Sequence, residues 1–211
     1  MRLPDIWGYY DYIFSLGPNC VTAVQLKRCG LRKESGPFDW MFTDHTSGLS
    51  RVIQNEFDGY MNLQNLRVEG HDYYRMNYLV KDNRYGLVSA HDFDLKLNPD
   101  GILLTYPQVI EKIRRRSQRL MERMKSSRRI LFVRAATPLQ EVIGLEDVLF
   151  RKVSGDFRLL IVNYGPKAEI WGDSQLLQRT CMVQFPEGND IWTGNNEYWD
   201  TVLFGVKWSG R

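Results

Sequence analysis

RILFVRAATPLQEVIGLEDVLFRKVSGDFRLLIVN, residues 129–163, contains two compact apolar runs, Ile130–Arg134 and Phe157–Asn163. Neither run alternates apolar with polar residues, so each strand is expected to be buried on both faces. Leu145–Val153 between them reads as a helix closed by Ser154-Gly155. Strand, helix and strand joined by short links form the pattern of a parallel βαβ unit, because parallel strands need a crossover. The expected fold class is therefore α/β, with a largely parallel central sheet, flanking helices and an N-terminal helix bearing a cysteine.

Outward from this unit, Tyr106-Pro107 opens the longest helix, to about Lys125. Its apolar stripe is Val109, Ile110, Ile113, Leu120, Met121 and Met124. Cys181–Phe185 is a further strand, and Val202–Val206 is an apolar run in a tail rich in Gly, Asn and Trp. Upstream, Tyr12–Ser15 reads as a strand, Cys20–Cys29 as a helix with Gly30 past its end, and Ser47–Glu56 as a second helix. Tyr73–Val80 and Tyr85–Ala90 read as paired strands around a turn at Lys81–Arg84. A chain of 211 residues is expected to form one α/β domain, with an N-terminal part over about 1–105 and the βαβ part over about 106–211.

A content of 43% hydrophobic residues excludes a disordered chain. The net charge of +3 requires neither nucleic acid nor membrane as partner. Cys20, Cys29 and Cys181 form no CxxC pair, which favours free thiols in a reducing, cytoplasmic setting. The N-terminus lacks a signal-peptide layout, and no run approaches the ~18 apolar residues of a membrane span. Without HExxH or clustered Cys/His spacing, neither a metal nor a cofactor is expected.

The chemistry centres on SLGPNC, Ser15–Cys20. Asn19 is a good helix N-cap, which puts Cys20 in the first turn, where unpaired amides and the helix dipole favour a thiolate. A cysteine nucleophile needs a base, and of His45, His71 and His91 the last is best placed, at the end of a strand beside small residues. His45 and His71 read as loop residues. Asp39 in SGPFDW (Ser35–Trp40) and Asn163 at the end of its strand are alternative orienters of the imidazole, with Asp92 and Asp94 as local options. Arg134, at the end of its strand, is a candidate anion clamp, and Asn19, Arg32 and Ser35 join it on the substrate side. Gly172-Asp173-Ser174 reads as a turn.

SLGPNC, then LKRCGLRKESGPFDW (Leu26–Trp40), then HDF (His91–Phe93), resemble a bacterial family of unassigned function described as putative papain-like cysteine peptidases. The resemblance covers the first half and continues more loosely to Phe132–Arg134. It implies a catalytic Cys20 and a His91 in the Cys-before-His order of papain-like enzymes, acting on a peptide or small-molecule substrate through a thioester, with a modified papain-like fold as one form of the α/β class. A papain-like fold would continue beyond the histidine into an antiparallel sheet. A long helix and a βαβ unit follow here, which favours thiol-based acyl chemistry in general (peptidase, amidase or acyltransferase).

Two other readings compete. One is a transferase using a sugar- or nucleotide-linked donor, with Cys20 structural and Trp171, Trp192 and Trp199 stacking on sugar rings. The other is a non-enzymatic module whose helix binds an anionic partner, since residues 107–129 hold nine Lys/Arg against two Glu. Lys112, Arg115, Arg116, Arg119 and Arg123 share the polar side of that helix. The commoner use of such a side is a solvated face.

Overall fold

The computed structural model describes residues 1–43, 45–171, 176–188, 190 and 195–210; the turn read at Gly172–Ser174 and Trp192 lie outside them. The elements in chain order are β1 (Gly8–Tyr10), β2 (Tyr12–Ser15), α1 (Cys20–Arg28), β3 (Met41–Phe42), α2 (Thr46–Gln54), β4 (Leu66–His71), β5 (Asn77–Asp82) and β6 (Leu87–Asp94). There follow α3 (Tyr106–Ser126), β7 (Arg129–Ala135), α4 (Leu139–Lys152), β8 (Asp156–Gly165), β9 (Glu169–Trp171), β10 (Thr180–Pro186), α5 (Asn196–Leu203) and β11 (Val206–Trp208).

The central sheet has the order β2-β7-β8-β10-β9. Its first four strands are parallel, and β9 is antiparallel at the edge. The βαβ unit read from residues 129–163 is β7-α4-β8. The helix begins at Leu139, six residues before the expected start, because Pro138 occupies the N-cap and Val142 adds a buried turn ahead of Leu145.

A second sheet, β3-β6-β5-β4, is antiparallel throughout, and β1 pairs with β11. The sheets together are mixed rather than largely parallel, which corrects the expectation. Two strands of the second sheet, β5 and β6, answer to the paired strands expected at Tyr73–Val80 and Tyr85–Ala90; β4 (LRVEGH) is hidden in the sequence because it faces mostly outward and carries no apolar pattern. Tyr73 and Tyr74, read as strand, are exposed turn residues.

Alternation along the central strands divides the core. Phe14, Phe132, Leu159 and Ile161 pack against α2, α3, α4 and the second sheet. Ile13, Leu131, Leu160 and Val183 pack against α1 and α5 on the other side. Trp199, offered above as a sugar-stacking surface, is fully buried in this second core. Among the described residues, no helix is long and apolar enough to cross a membrane.

The two sheets meet where α2 packs against α4. Gly48 allows the close approach of α2 to the second sheet, since a Cβ there would lie 2.0 Å from the Tyr85 carbonyl oxygen. His45 at the N-cap of α2 supplies no side-chain cap, and Glu141 from α4 takes that place. Its Oε2 accepts from the Thr46 amide at 2.6 Å and its Oε1 lies 2.8 Å from His45 Nδ1. Partial burial pushes the Glu141 carboxyl up, but Thr46 and His45 outweigh it and hold the group below the usual range. The stabilisation is therefore complete above the ordinary carboxylate pKa and is lost as pH falls through the lowered one. Glu141→Ala is expected to cost about 1 kcal/mol at neutral pH. Urea unfolding of both proteins should show that gap closing below about pH 4.

Candidate functional site

The loop after β2 is fixed from several sides. Leu16 N–H donates to Val133 O at 2.8 Å, Ala135 N–H to Gly17 O at 3.1 Å, and Thr43 N–H to Pro18 O at 3.0 Å. Gly17 takes a positive φ of 81° and leaves room for Arg134 Nη1, which would sit 3.2 Å from a Cβ at that position. Arg134 is fully buried. Its guanidinium donates to Leu16 O at 2.5 Å, Thr43 Oγ1 at 2.8 Å, Thr43 O at 3.3 Å and Thr137 Oγ1 at 3.0 Å. Desolvation draws its pKa down to about 10, so it remains charged at neutral pH. Arg134 was expected to clamp substrate; with its donors committed to loop backbone and threonines, it holds the loop instead.

Asn19 caps α1 as expected, its Oδ1 accepting from Val21 N–H at 3.0 Å, which commits that oxygen to the helix. Cys20 begins the helix and is 4% exposed. Burial pushes its thiol up, and its own backbone N–H only partly opposes that. This direction runs opposite to the lowering expected for a thiol in the first turn of a helix. Cys181 lies in the central sheet and is pushed up to about 11 by burial, while Cys29 is half-buried near Asp200.

SGPFDW forms a turn closed on its own aspartate. Asp39 Oδ2 accepts from Gly36 N–H at 2.9 Å and from Arg32 Nε at 2.7 Å, while Arg32 Nη2 reaches Ser35 Oγ at 2.8 Å. Burial pushes the Asp39 carboxyl up against the opposing pull of Arg32 and Gly36. The Arg32 guanidinium lies 5.6 Å from the Trp40 ring centroid, and the His91 ring meets Trp40 edge-on at 5.5 Å.

His91 sits in a bulge. Residues 78 and 80 of β5 pair with 93 and 89 of β6, so Ala90–Asp92 face Leu79 alone. Bulges re-aim side chains, and here they turn His91 outward and Asp92 inward. Asp92 accepts from Ser89 Oγ at 2.6 Å and pairs with Lys112 Nζ at 2.5 Å. In the β4–β5 turn, slight desolvation of Asp72 is outweighed by hydrogen bonds from Met76 and Asn77 and by the charge of His91, which together hold it below the usual range.

The structure therefore gathers Arg32, Ser35 and Asp39 beside Trp40 and His91. The Asn19–Cys20 loop is tied to this group through Thr43 and through β3, which pairs with β6 at Ser89. Asn163 stands apart, its amide bridging Thr137 N at 2.6 Å and Thr137 O at 3.0 Å. Among the described residues, no hydrogen bond joins His91 to Cys20, Asp39 or Asn163. Sequence reasoning missed the approach of α3 to this group. The signal was the spacing of Lys112, Arg116 and Arg119 along one face, which was read as solvated.

These features define a mixed α/β protein with a cysteine held at a helix N-terminus behind a clamped loop. The chain belongs to the family described as putative papain-like cysteine peptidases, whose model matches residues 11–165, from β2 to the end of β8. It is also similar to an uncharacterised protein, R408, of Acanthamoeba polyphaga mimivirus, 26% identical over 92% of this chain and 97% of that one. That relative is viral, so the expected restriction to bacteria is unsupported. No solved structure matches the chain.

Arg134→Met should destabilise the protein by about 3 kcal/mol or more, because it orphans buried acceptors as well as losing the bonds; denaturant unfolding measures this. In timed alkylation of the native protein, Cys29 should react first, Cys20 slowly at neutral pH and faster as the pH rises, and Cys181 only on unfolding. Peptide mass mapping reads the order.

Proposed function

We propose that the protein is a thiol hydrolase that cleaves an amide or ester bond, with Cys20 as nucleophile and His91 as general base. The observation that carries this reading is the clamped loop: a buried arginine and a set of backbone hydrogen bonds hold one cysteine at a helix N-terminus. The same loop leans on the strand that leads from PFDW and pairs with the histidine strand. Membership of the family described as putative papain-like cysteine peptidases supports the same chemistry.

Because burial raises the Cys20 pKa, the thiolate forms in this reading only as His91 takes its proton. Sγ then attacks the acyl carbon. The Val21 amide is already taken by Asn19, so the Cys20 N–H is the donor for the developing oxyanion in this reading. The imidazolium gives its proton to the departing amine or alcohol, leaving a thioester on Cys20. Water deprotonated by His91 then cleaves the thioester and restores the thiol. Trp40 positions the imidazole ring. Asp39 serves the PFDW turn through Arg32, a positioning role in place of a direct contact with the imidazole.

An activated aryl ester should leave one acyl group on the protein, mapped to Cys20 by mass spectrometry and absent from Cys20→Ala. His91→Ala should fold normally, since the side chain is exposed, and should acylate roughly 10²–10⁴-fold more slowly. An adduct that persists in Cys20→Ala, or His91→Ala acylating at the unaltered rate, would overturn the proposal.

A further inference from the structure

The face of α3 that approaches the PFDW turn carries Lys112, Arg116 and Arg119 at helical spacing, with Arg32 opposite. Four cations meet three carboxylates there. Lys112 pairs with Asp92 at 2.5 Å, and Arg32 holds Asp39. Arg119 donates to the Ser35 carbonyl, and its Nε lies 3.0 Å from Glu34 Oε2, off the line of a good hydrogen bond. Each carboxylate thus has a cation of its own. Arg116 lies between these pairs, half-buried, within the fields of Asp92, Asp39, Arg32 and Arg119. Among the described residues it makes no hydrogen bond and no ion pair.

A guanidinium drawn partly out of water loses hydration, a cost that the fields of Asp92 and Asp39 offset in part and those of Arg32 and Arg119 raise. The forked donor set suits the planar pair of oxygens of a carboxylate or phosphate. Trp40 and His91 lie on the Arg32 side. One turn away, at Lys112, opens a cleft of about 450 Å³ lined by Asp92, Asp94, Leu97, Thr105, Gln108 and Val109; Arg116 stands outside that acidic lining.

We propose that Arg116 is the centre of an oxyanion-recognition site, which Arg32 and Arg119 support by their charge, and that the protein acts on a substrate carrying a carboxylate or phosphate near the bond to be cleaved. That the bound anion belongs to a substrate rests on the thiol-hydrolase reading above; that the site binds an anion does not. The site also turns the basic face of α3 from a solvated stripe into a specific contact.

Binding is measured on Cys20→Ala protein, so its outcome is independent of catalysis. Inorganic phosphate and succinate are titrated separately at low salt, followed by thermal shift and by calorimetry. One or both should raise the melting temperature, and the stronger identifies the anion class. Arg116→Gln should weaken that binding at least tenfold, about 1.4 kcal/mol, while melting close to its parent without anion, because no hydrogen bond or ion pair among the described residues is broken by the change. Arg116→Lys should recover part of the affinity. If neither anion binds in the millimolar range, or if Arg116→Gln binds as its parent does, the site is overturned. A variant that melts much lower without anion assigns Arg116 a structural role and equally defeats the proposal. Loss of the acyl adduct in the preceding experiment with anion binding intact would instead defeat only the hydrolase reading.

Discussion

The Arg134 guanidinium is the constraint on which the site depends. It is a full charge out of contact with water near the carboxyl end of a parallel strand, and the groups that accept its hydrogen bonds are neutral carbonyls and hydroxyls, with the Glu141 carboxylate acting only through its field. Such burial is costly unless every donor is used. Here the donors join three segments distant in sequence: the end of β2, the end of β3 and the loop before α4. The reward is positional. In open α/β sheets the crevice beyond the carboxyl ends of parallel strands is where ligands bind. Arg134 fastens the loop after β2 to that edge and thereby sets where α1 and its leading cysteine begin.

The same edge explains Asn163. It lies in β8 just beyond the last pair with β7, two residues before the strand ends at Gly165 rather than at the end expected, and its amide spans the backbone of Thr137 in both directions. Thr137 in turn accepts from Arg134 and donates to the Ala135 carbonyl. Arginine, threonine and asparagine therefore form one support beneath the loop. Polar side chains at strand ends in the sequence drew attention correctly as being out of place in a core, yet their partners turn out to be backbone.

Much of the fold was legible because its strongest signals are local. Unbroken apolar runs gave β7, β8 and β10, and the 3.6-residue stripe gave α3 almost to the residue. Asn19 declared the start of α1, since few other side chains satisfy an orphan helix amide so well. The antiparallel sheet was legible only in part, because β4 carries Arg67, Glu69 and Gly70 toward solvent and owes its place to pairing with β5. The bulge at His91 could not be read at all. A register shift depends on what the partner strand does at Tyr78–Val80, and neither strand encodes that alone. Arg116 fell out of view for a related reason: amphipathic spacing shows which residues share a face, but not what the face meets.

The electrostatics separate activation from recognition. Burial pushes the Cys20 thiol up, and its own backbone N–H opposes that only in part. The cations around PFDW are held by other groups, Arg32 by Asp39, Lys112 by Asp92 and Arg119 by the Ser35 carbonyl. A neutral, buried thiol resists adventitious oxidation and becomes nucleophilic only when a base is brought to it. Among the cations, Arg116, whose neighbouring carboxylates are already engaged, is the one with capacity to neutralise charge arriving from outside. If one side of the PFDW turn carries the bond-breaking pair and the other an anion-binding arginine, Trp40 is what separates and registers them, with His91 at its edge and Arg32 over its ring.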